Sequence, residues 1–295
     1  MGVNSTTDDQ GSTVERAYAS VEGARISMLT AGPTHGETVL LLHGLPASAE
    51  LWRDVLLRLA SFGYRAIALD LPGYGATRVP PGGDVSIRGT ARLFARWIQS
   101  EGMGPVWLVG HDVGGAVAQV LAVQEPGQVA ALTLGNTVAG SGWPILPVRL
   151  FQAAARLGLY PWMAAARLVP NPYIWRTLRR GFADPSALDR ATAERVFWDS
   201  KVTDPEGRRA FAAHLSALDP QQTIAIAPRL AGVAAPTLLL WGAEDRFQPW
   251  HTTGLRLHGL LPDPDVILLE GIGHFAPLEG PDAYIGALLE WRRSV

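Results

Sequence analysis

The chain has no cysteine. That excludes disulfides, thiolate metal sites and a cysteine nucleophile. It also lacks an excess of either charge. Lys and Arg number 25 against 27 Asp and Glu, a formal net charge of −2. With no basic block, nucleic acid is not an expected partner. No apolar run approaches the ~18 residues of a membrane-crossing helix, so no membrane partner is expected either. Residues 1–13 are polar and rich in Gly, Ser, Thr and Asp. They lack the apolar centre of a signal peptide and read as a disordered tail, which leaves a cytoplasmic protein as the expectation. No internal repeat is visible, and no cofactor or metal is expected.

The remainder is ordinary globular composition: 295 residues, 47% hydrophobic and 18% charged, ample for a large core. Short apolar runs alternate with helical periodicities. Two strand-like pieces flank Glu22-Gly23 within Ala17–Ser27 and predict an edge hairpin. Thr38–Leu42, Tyr64–Leu69, Pro105–Val109 and Val129–Leu134 read as strands, with helices over Ala49–Ala60 and Val85–Gln99. That alternation predicts a mostly parallel, doubly wound sheet covered on both faces. From about Ala139 to Ala225 the runs are helical only, with candidate helices at Val148–Leu159, Ile174–Gly181, Ala187–Asp199 and Glu206–Leu218. Strands resume at Thr237–Trp241 and Val266–Leu269, and a helix over Asp282–Arg293 closes the chain. The expected division is a core over 14–138 and 226–295, with a helical lid over 139–225. Such a lid would cover the carboxyl edge of the sheet, where these folds place their sites.

The chemistry concentrates in Gly110-His111-Asp112-Val113-Gly114-Gly115, between an apolar strand and a helix rich in small residues. Strand, glycine-flanked polar residue and helix make a nucleophile elbow, in which a sharp turn lifts one side chain out of the sheet. The usual lifted residue is serine; here it is Asp112. Two further polar residues stand after predicted strands. Asp245 lies in Trp241-Gly242-Ala243-Glu244-Asp245-Arg246, and His274 in Gly271-Ile272-Gly273-His274. The order nucleophile, acid, histidine lets the acid orient the imidazole and the imidazole activate a water or nucleophile. Glu244 is a competing acid, and Asp245 holds the usual position. A single Asp or His at a strand end is most often a turn or capping residue. All three in order with the elbow glycines favour catalysis.

These motifs, with His43-Gly44-Leu45-Pro46 and Asp70-Leu71-Pro72-Gly73-Tyr74-Gly75, make the chain from about Ala17 to Val295 resemble the α/β-hydrolase family. With Asp112 at the elbow it looks like the epoxide hydrolase and haloalkane dehalogenase branch. The resemblance implies an oxyanion hole from the N–H groups of Leu45 and Val113. Chemistry points the same way. A carboxylate attacking an acyl group would give an unstable anhydride, whereas at an sp³ carbon it gives a stable alkyl ester. Water activated by His274 would then hydrolyse that ester at the Asp112 carbonyl carbon. A serine-esterase reaction is thus disfavoured.

The leaving group separates the sub-branches. Related dehalogenases often hold halide with a Trp directly after the nucleophile, where this chain has Val113. Dehalogenases of small halo-acids carry Arg there, and this chain has none. Epoxide hydrolases quench the leaving alkoxide with lid residues, usually tyrosines. Tyr160 and His214 fall about where that branch places its two donors, with Tyr173 as a third candidate. His214 also fits a packed helix face with Phe211, Leu215 and Leu218. The leading expectation is a hydrolase taking a small hydrophobic epoxide and water to a vicinal diol. A haloalkane dehalogenase and a non-catalytic binding protein of the same fold are the alternatives.

Overall fold

The computed structural model describes residues 6–7, 13–169 and 172–295. The expected tail falls largely outside these residues. Within it, Thr6–Thr7 (β1) pairs antiparallel with Thr13 and Val14, so that part is strand rather than tail. The next two strands, β2 (Thr13–Val21) and β3 (Ala24–Ala31), form the expected hairpin. Its turn residues Glu22 and Gly23 both have positive φ, at 50° and 78°, the sign that two-residue hairpin turns require.

Then come β4 (Thr38–Leu42), β5 (Arg65–Leu69), β6 (Val106–His111), β7 (Val129–Gly135), β8 (Thr237–Gly242) and β9 (Asp265–Leu269). These six run parallel, and the sheet order is β1-β2-β3-β5-β4-β6-β7-β8-β9. Apolar side chains alternate to the two faces, as strand geometry dictates. Leu40, Leu42, Ile67, Leu69 and Leu108 pack on one side against α2 (Ile87–Ser100) and α3 (Val113–Gln124). Val39, Leu41, Ala66, Ala68 and Trp107 pack on the other against α1 (Arg53–Ser61) and the C-terminal helix Pro281–Ser294. Burial on both faces is why these strands are continuously apolar.

Successive strands are laid outward from β4 in both directions, β5 on one side and β6 on the other. That reversal opens a crevice at the carboxyl ends of β4 and β6. Over it lies the segment between β7 and β8, which has helices and no strand among its described residues. It comprises α4 (Leu146–Arg156), α5 (Tyr160–Ala165), α6 (Pro172–Arg179), α7 (Arg190–Ala193), α8 (Asp199–Thr203), α9 (Pro205–Ala217) and α10 (Gln221–Ile226). A π-helical stretch, Glu194–Trp198, joins α7 to α8. Four of these regions were expected as helices. The short α5, α8 and α10 were not, being a turn or two each, with Pro161 and Pro220 at the starts of α5 and α10. No helix of the described residues is long and apolar enough to cross a membrane.

Candidate active site

The elbow is strained as its sequence requires. Asp112 has φ +49° and ψ −120°, outside the ordinary helical and extended regions. Thr137 helps hold that turn, its hydroxyl donating to the Asp112 carbonyl at 2.7 Å. Glycines let the strands and α3 close around it. A Cβ on Gly44 would lie 2.3 Å from the Asp112 Cβ, so only glycine lets the β4 loop approach. The approach brings the Leu45 N–H to 2.8 Å from Asp112 Oδ1. The Val113 N–H also donates to this carboxylate. Burial pushes the Asp112 carboxyl above its ordinary value, while His274 and the Leu45 and Val113 N–H groups pull it back down.

Asp245 is fixed from four directions. Its Oδ1 accepts from the Phe247 and Gln248 N–H groups at 2.7 and 2.9 Å. Its Oδ2 accepts from Asn136 Nδ2 at 2.8 Å and from His274 Nδ1 at 2.9 Å. Burial opposes its charge, but His274 and these hydrogen bonds outweigh it and hold the carboxyl below its ordinary value. The neighbouring Glu244 is exposed, which removes it as the partner acid. With Nδ1–H committed to Asp245, the other nitrogen of His274 faces Asp112, Nε2 lying 3.8 Å from Oδ2. That is too long for a hydrogen bond. Burial disfavours the imidazolium, yet Asp245, then Asp112, raise His274 above its ordinary value.

Two residues here carried no sequence signal as site residues. Asn136, at the end of β7, has φ +43°, donates to Asp245 and accepts from the Gly242 N–H at 3.1 Å. Its only trace in sequence was its place after a strand. His111 is the other. Its Nε2 lies 2.8 Å from the His274 carbonyl oxygen, and burial lowers it to about 3, so it is neutral. His43 is likewise neutral, at about 4 through burial, and its Nε2 accepts from the Leu71 N–H. Both histidines brace loops.

Asp112, Val113, Leu45 and His274 border a cavity of about 130 Å³, roofed by the inserted helices. At ~10–15 Å³ per water position, it has room for on the order of ten non-hydrogen atoms. Its walls are mostly apolar, with Phe151, Phe197, Trp198 and Leu215 among them. Of the three expected lid donors, Tyr160 and Tyr173 line it and His214 does not. His214 packs against the Tyr74 ring at 5.1 Å, and its Nδ1 lies 3.2 Å from the Val85 carbonyl oxygen. Burial lowers it to about 4. The helix-face packing reading of this residue is the one the structure shows, and the donor expectation is corrected. Tyr160 is buried, and its hydroxyl donates to the Lys201 carbonyl at 3.2 Å. Tyr173 sits at an exposed rim. Lys201 also lines the cavity, fully buried, its Nζ 3.4 Å from the Ala47 carbonyl and 5.2 Å from the Tyr74 ring centre.

A mostly parallel sheet with a strained polar elbow after its central strand and a histidine after its last defines an α/β hydrolase. The model of the α/β-hydrolase fold family matches residues 37–281, and the chain belongs to that family. With aspartate at the elbow, it falls in the branch that has a carboxylate at the nucleophile position. Among curated relatives, it is 28% identical over 300 residues to haloalkane dehalogenase 2 of Mycobacterium tuberculosis, spanning 98% of this chain and 99% of that one. It is 29% identical over 274 residues to the 2-hydroxy-6-oxononadienedioate/2-hydroxy-6-oxononatrienedioate hydrolase of Burkholderia vietnamiensis, covering 88% of each. An α/β-hydrolase fold protein from Burkholderia ambifaria superimposes with a TM-score of 0.80 at 25% identity, over 93% of this chain and 97% of that one.

Proposed function

We propose that this hydrolase opens small hydrophobic epoxides through a covalent ester on Asp112, which His274-activated water then hydrolyses to a diol. One observation carries the reading: the lifted elbow residue is a carboxylate with Oδ1 held by the Leu45 N–H and Oδ2 on the His274 side. In the first step Oδ2 attacks an epoxide carbon, and the C–O bond breaks with its electron pair on oxygen. Asp112 enters already ionised, so it needs no base, which fits the 3.8 Å gap to His274.

In the second step His274 Nε2 takes a proton from water, and the hydroxide adds to the Asp112 carbonyl carbon. Negative charge then grows on Oδ1, which the Leu45 N–H already contacts, with the Val113 N–H beside the same carboxylate. Collapse expels the diol oxygen, which takes its proton from His274. Asp245 holds the imidazole in the tautomer this requires. The leaving alkoxide needs a proton. Tyr160 and Lys201, both in the cavity wall, are the donors this reading assigns to ring opening.

A haloalkane dehalogenase is the second reading. Similarity over the whole chain to a protein of that name favours it, and Val113 at the halide-binding position weighs against it.

Single turnover in ¹⁸O-water tests the mechanism. Label should enter Asp112 before product. Label in the first product with none in the protein would sink it. His274→Ala should still be alkylated, so an adduct of intact mass builds up. Offering styrene oxide beside a bromoalkane decides between the two readings.

A further inference from the structure

From Pro126 to Ala183 the chain has no Asp or Glu. That stretch carries Arg149, Arg156, Arg167, Arg176, Arg179 and Arg180, and all but Arg179 are exposed. Ion pairs among the described residues involve arginines elsewhere. Three of the six donate hydrogen bonds to carbonyls, Arg149 to Pro144, Arg156 to Ser216 and Arg179 to Pro185, and Arg179 also faces the charge of Asp184. This local excess of positive charge is hidden in a chain whose net charge is near zero.

The outer side of α4, which carries Arg149 and Arg156, is also apolar, as is that of α5. Leu146, Leu150 and Leu157 on or beside α4 are 68, 59 and 73% exposed, and Trp162 on α5 is 64% exposed. Leu159 and Leu168, at the ends of α5, are about half exposed. Along α4 the order Leu146, Arg149, Leu150, Ala153, Arg156, Leu157 follows spacings of three and four residues, one outward stripe of a helix. Its inward side, Val148 and Phe151, walls the cavity. Soluble monomers rarely leave so many large apolar side chains together in water.

We infer that the outer face of α4 and α5 docks on the surface of an anionic lipid bilayer. Leucines and a tryptophan set among arginines, without acids, are the composition of a helix that lies in a membrane interface. The leucines enter the acyl boundary, the Trp ring sits at headgroup level, and the arginines reach back to lipid phosphates. A second copy meeting this face through a twofold axis would set arginine against arginine with no acid of α4 or α5 to offset them. Nucleic acid would match the charge but leave the leucines unburied. The absence of a spanning helix bears on crossing a membrane, and this contact lies on its surface. Because the docking helices also form the cavity wall, apolar molecules dissolved in the bilayer would lie next to the site.

Flotation of the full-length protein with vesicles tests this without reference to substrate. The protein should float with phosphatidylcholine–phosphatidylglycerol vesicles at low salt and much less with phosphatidylcholine alone, and high salt should release it. Each exposed arginine changed to Gln should weaken binding about fivefold. Leu150→Asp with Trp162→Asp should abolish flotation. These side chains are in solvent, so the thermal midpoint should not move and misfolding is controlled for. Failure to float with anionic vesicles overturns the inference, as does flotation that survives the double variant. A dimer in sedimentation velocity that the double variant dissolves would also overturn it, by assigning the face to a second copy.

Discussion

The carboxyl edge of the sheet and the inserted helices meet across one cavity, and they are built in opposite ways. At the sheet edge the reacting carboxylates and the imidazole are held by fixed partners. Asp245 accepts four hydrogen bonds, Asn136 ties β7 to β8, and Gly44 permits contact with Asp112 at van der Waals distance. The helical roof is held mainly by apolar packing, with scattered hydrogen bonds such as Gln152 to the Leu215 and Leu218 carbonyls and Trp143 Nε1 to Thr223. On the proposed mechanism, the difference separates chemistry from selection. A covalent nucleophile and its base must be placed to a fraction of an ångström. A roof that sorts substrates by shape needs only the right volume and a donor or two.

Breaking the rigid half should cost most. Asp112→Asn should remove alkylation, lowering kcat by roughly 10⁴–10⁶-fold, while leaving the fold and its thermal midpoint in place. Pre-steady-state adduct mass checks this. In the roof, Tyr160→Phe and Lys201→Met should slow epoxide opening by roughly 10²–10⁴-fold wherever the changed group is the acid. Bromide departure should change far less, because bromide needs no proton. His214→Ala should leave ring opening near wild type, since the residue does not border the cavity. Ring opening unchanged in both the Tyr160 and Lys201 variants would place the donor elsewhere.

The pH dependence sharpens the contrast. Ester hydrolysis needs neutral His274, whose conjugate acid is raised by the Asp245 carboxylate against the lowering effect of burial; Asp112, the lesser raising charge in the free protein, carries none once esterified. The rate of that step should therefore rise with pH through this raised value and be lost below it. In Asp245→Asn the main raising charge is gone, so the midpoint should fall, with a lower plateau because the tautomer is no longer fixed. Single-turnover hydrolysis of the trapped ester across pH reads both. A midpoint that stays in place would detach Asp245 from His274. Apart from the neutral His214 change, the smallest effect belongs to Asn136→Ala, which removes one of the four hydrogen bonds on Asp245. Ester hydrolysis should slow about tenfold, the weight of one charge-assisted hydrogen bond, with alkylation unchanged.

Much of the rigid half is written in the order of residues along the chain. Buried parallel strands must be apolar on both faces, so Thr38–Leu42 and Thr237–Trp241 stand out as continuous runs. The elbow is legible because the close packing of strand on helix demands glycine at fixed places around Asp112. Residues at strand ends whose order matches a known chemistry announce themselves in one dimension. The helical roof did not share this legibility. Its amphipathic periods gave helices, yet the same period is satisfied by a histidine facing a cavity or a histidine packed on Tyr74. Only the rotation of α9 about its axis decided that for His214. Lys201 looked like any surface lysine until α8 turned it inward. Asn136 read as the end of a strand and proved to brace Asp245 across two strands. Local sequence determined which elements form and which residue the elbow lifts, because those follow from backbone geometry and burial over a few residues. Which side chains share the cavity was decided by helix packing between residues far apart in the chain, and that information exists only in the folded molecule.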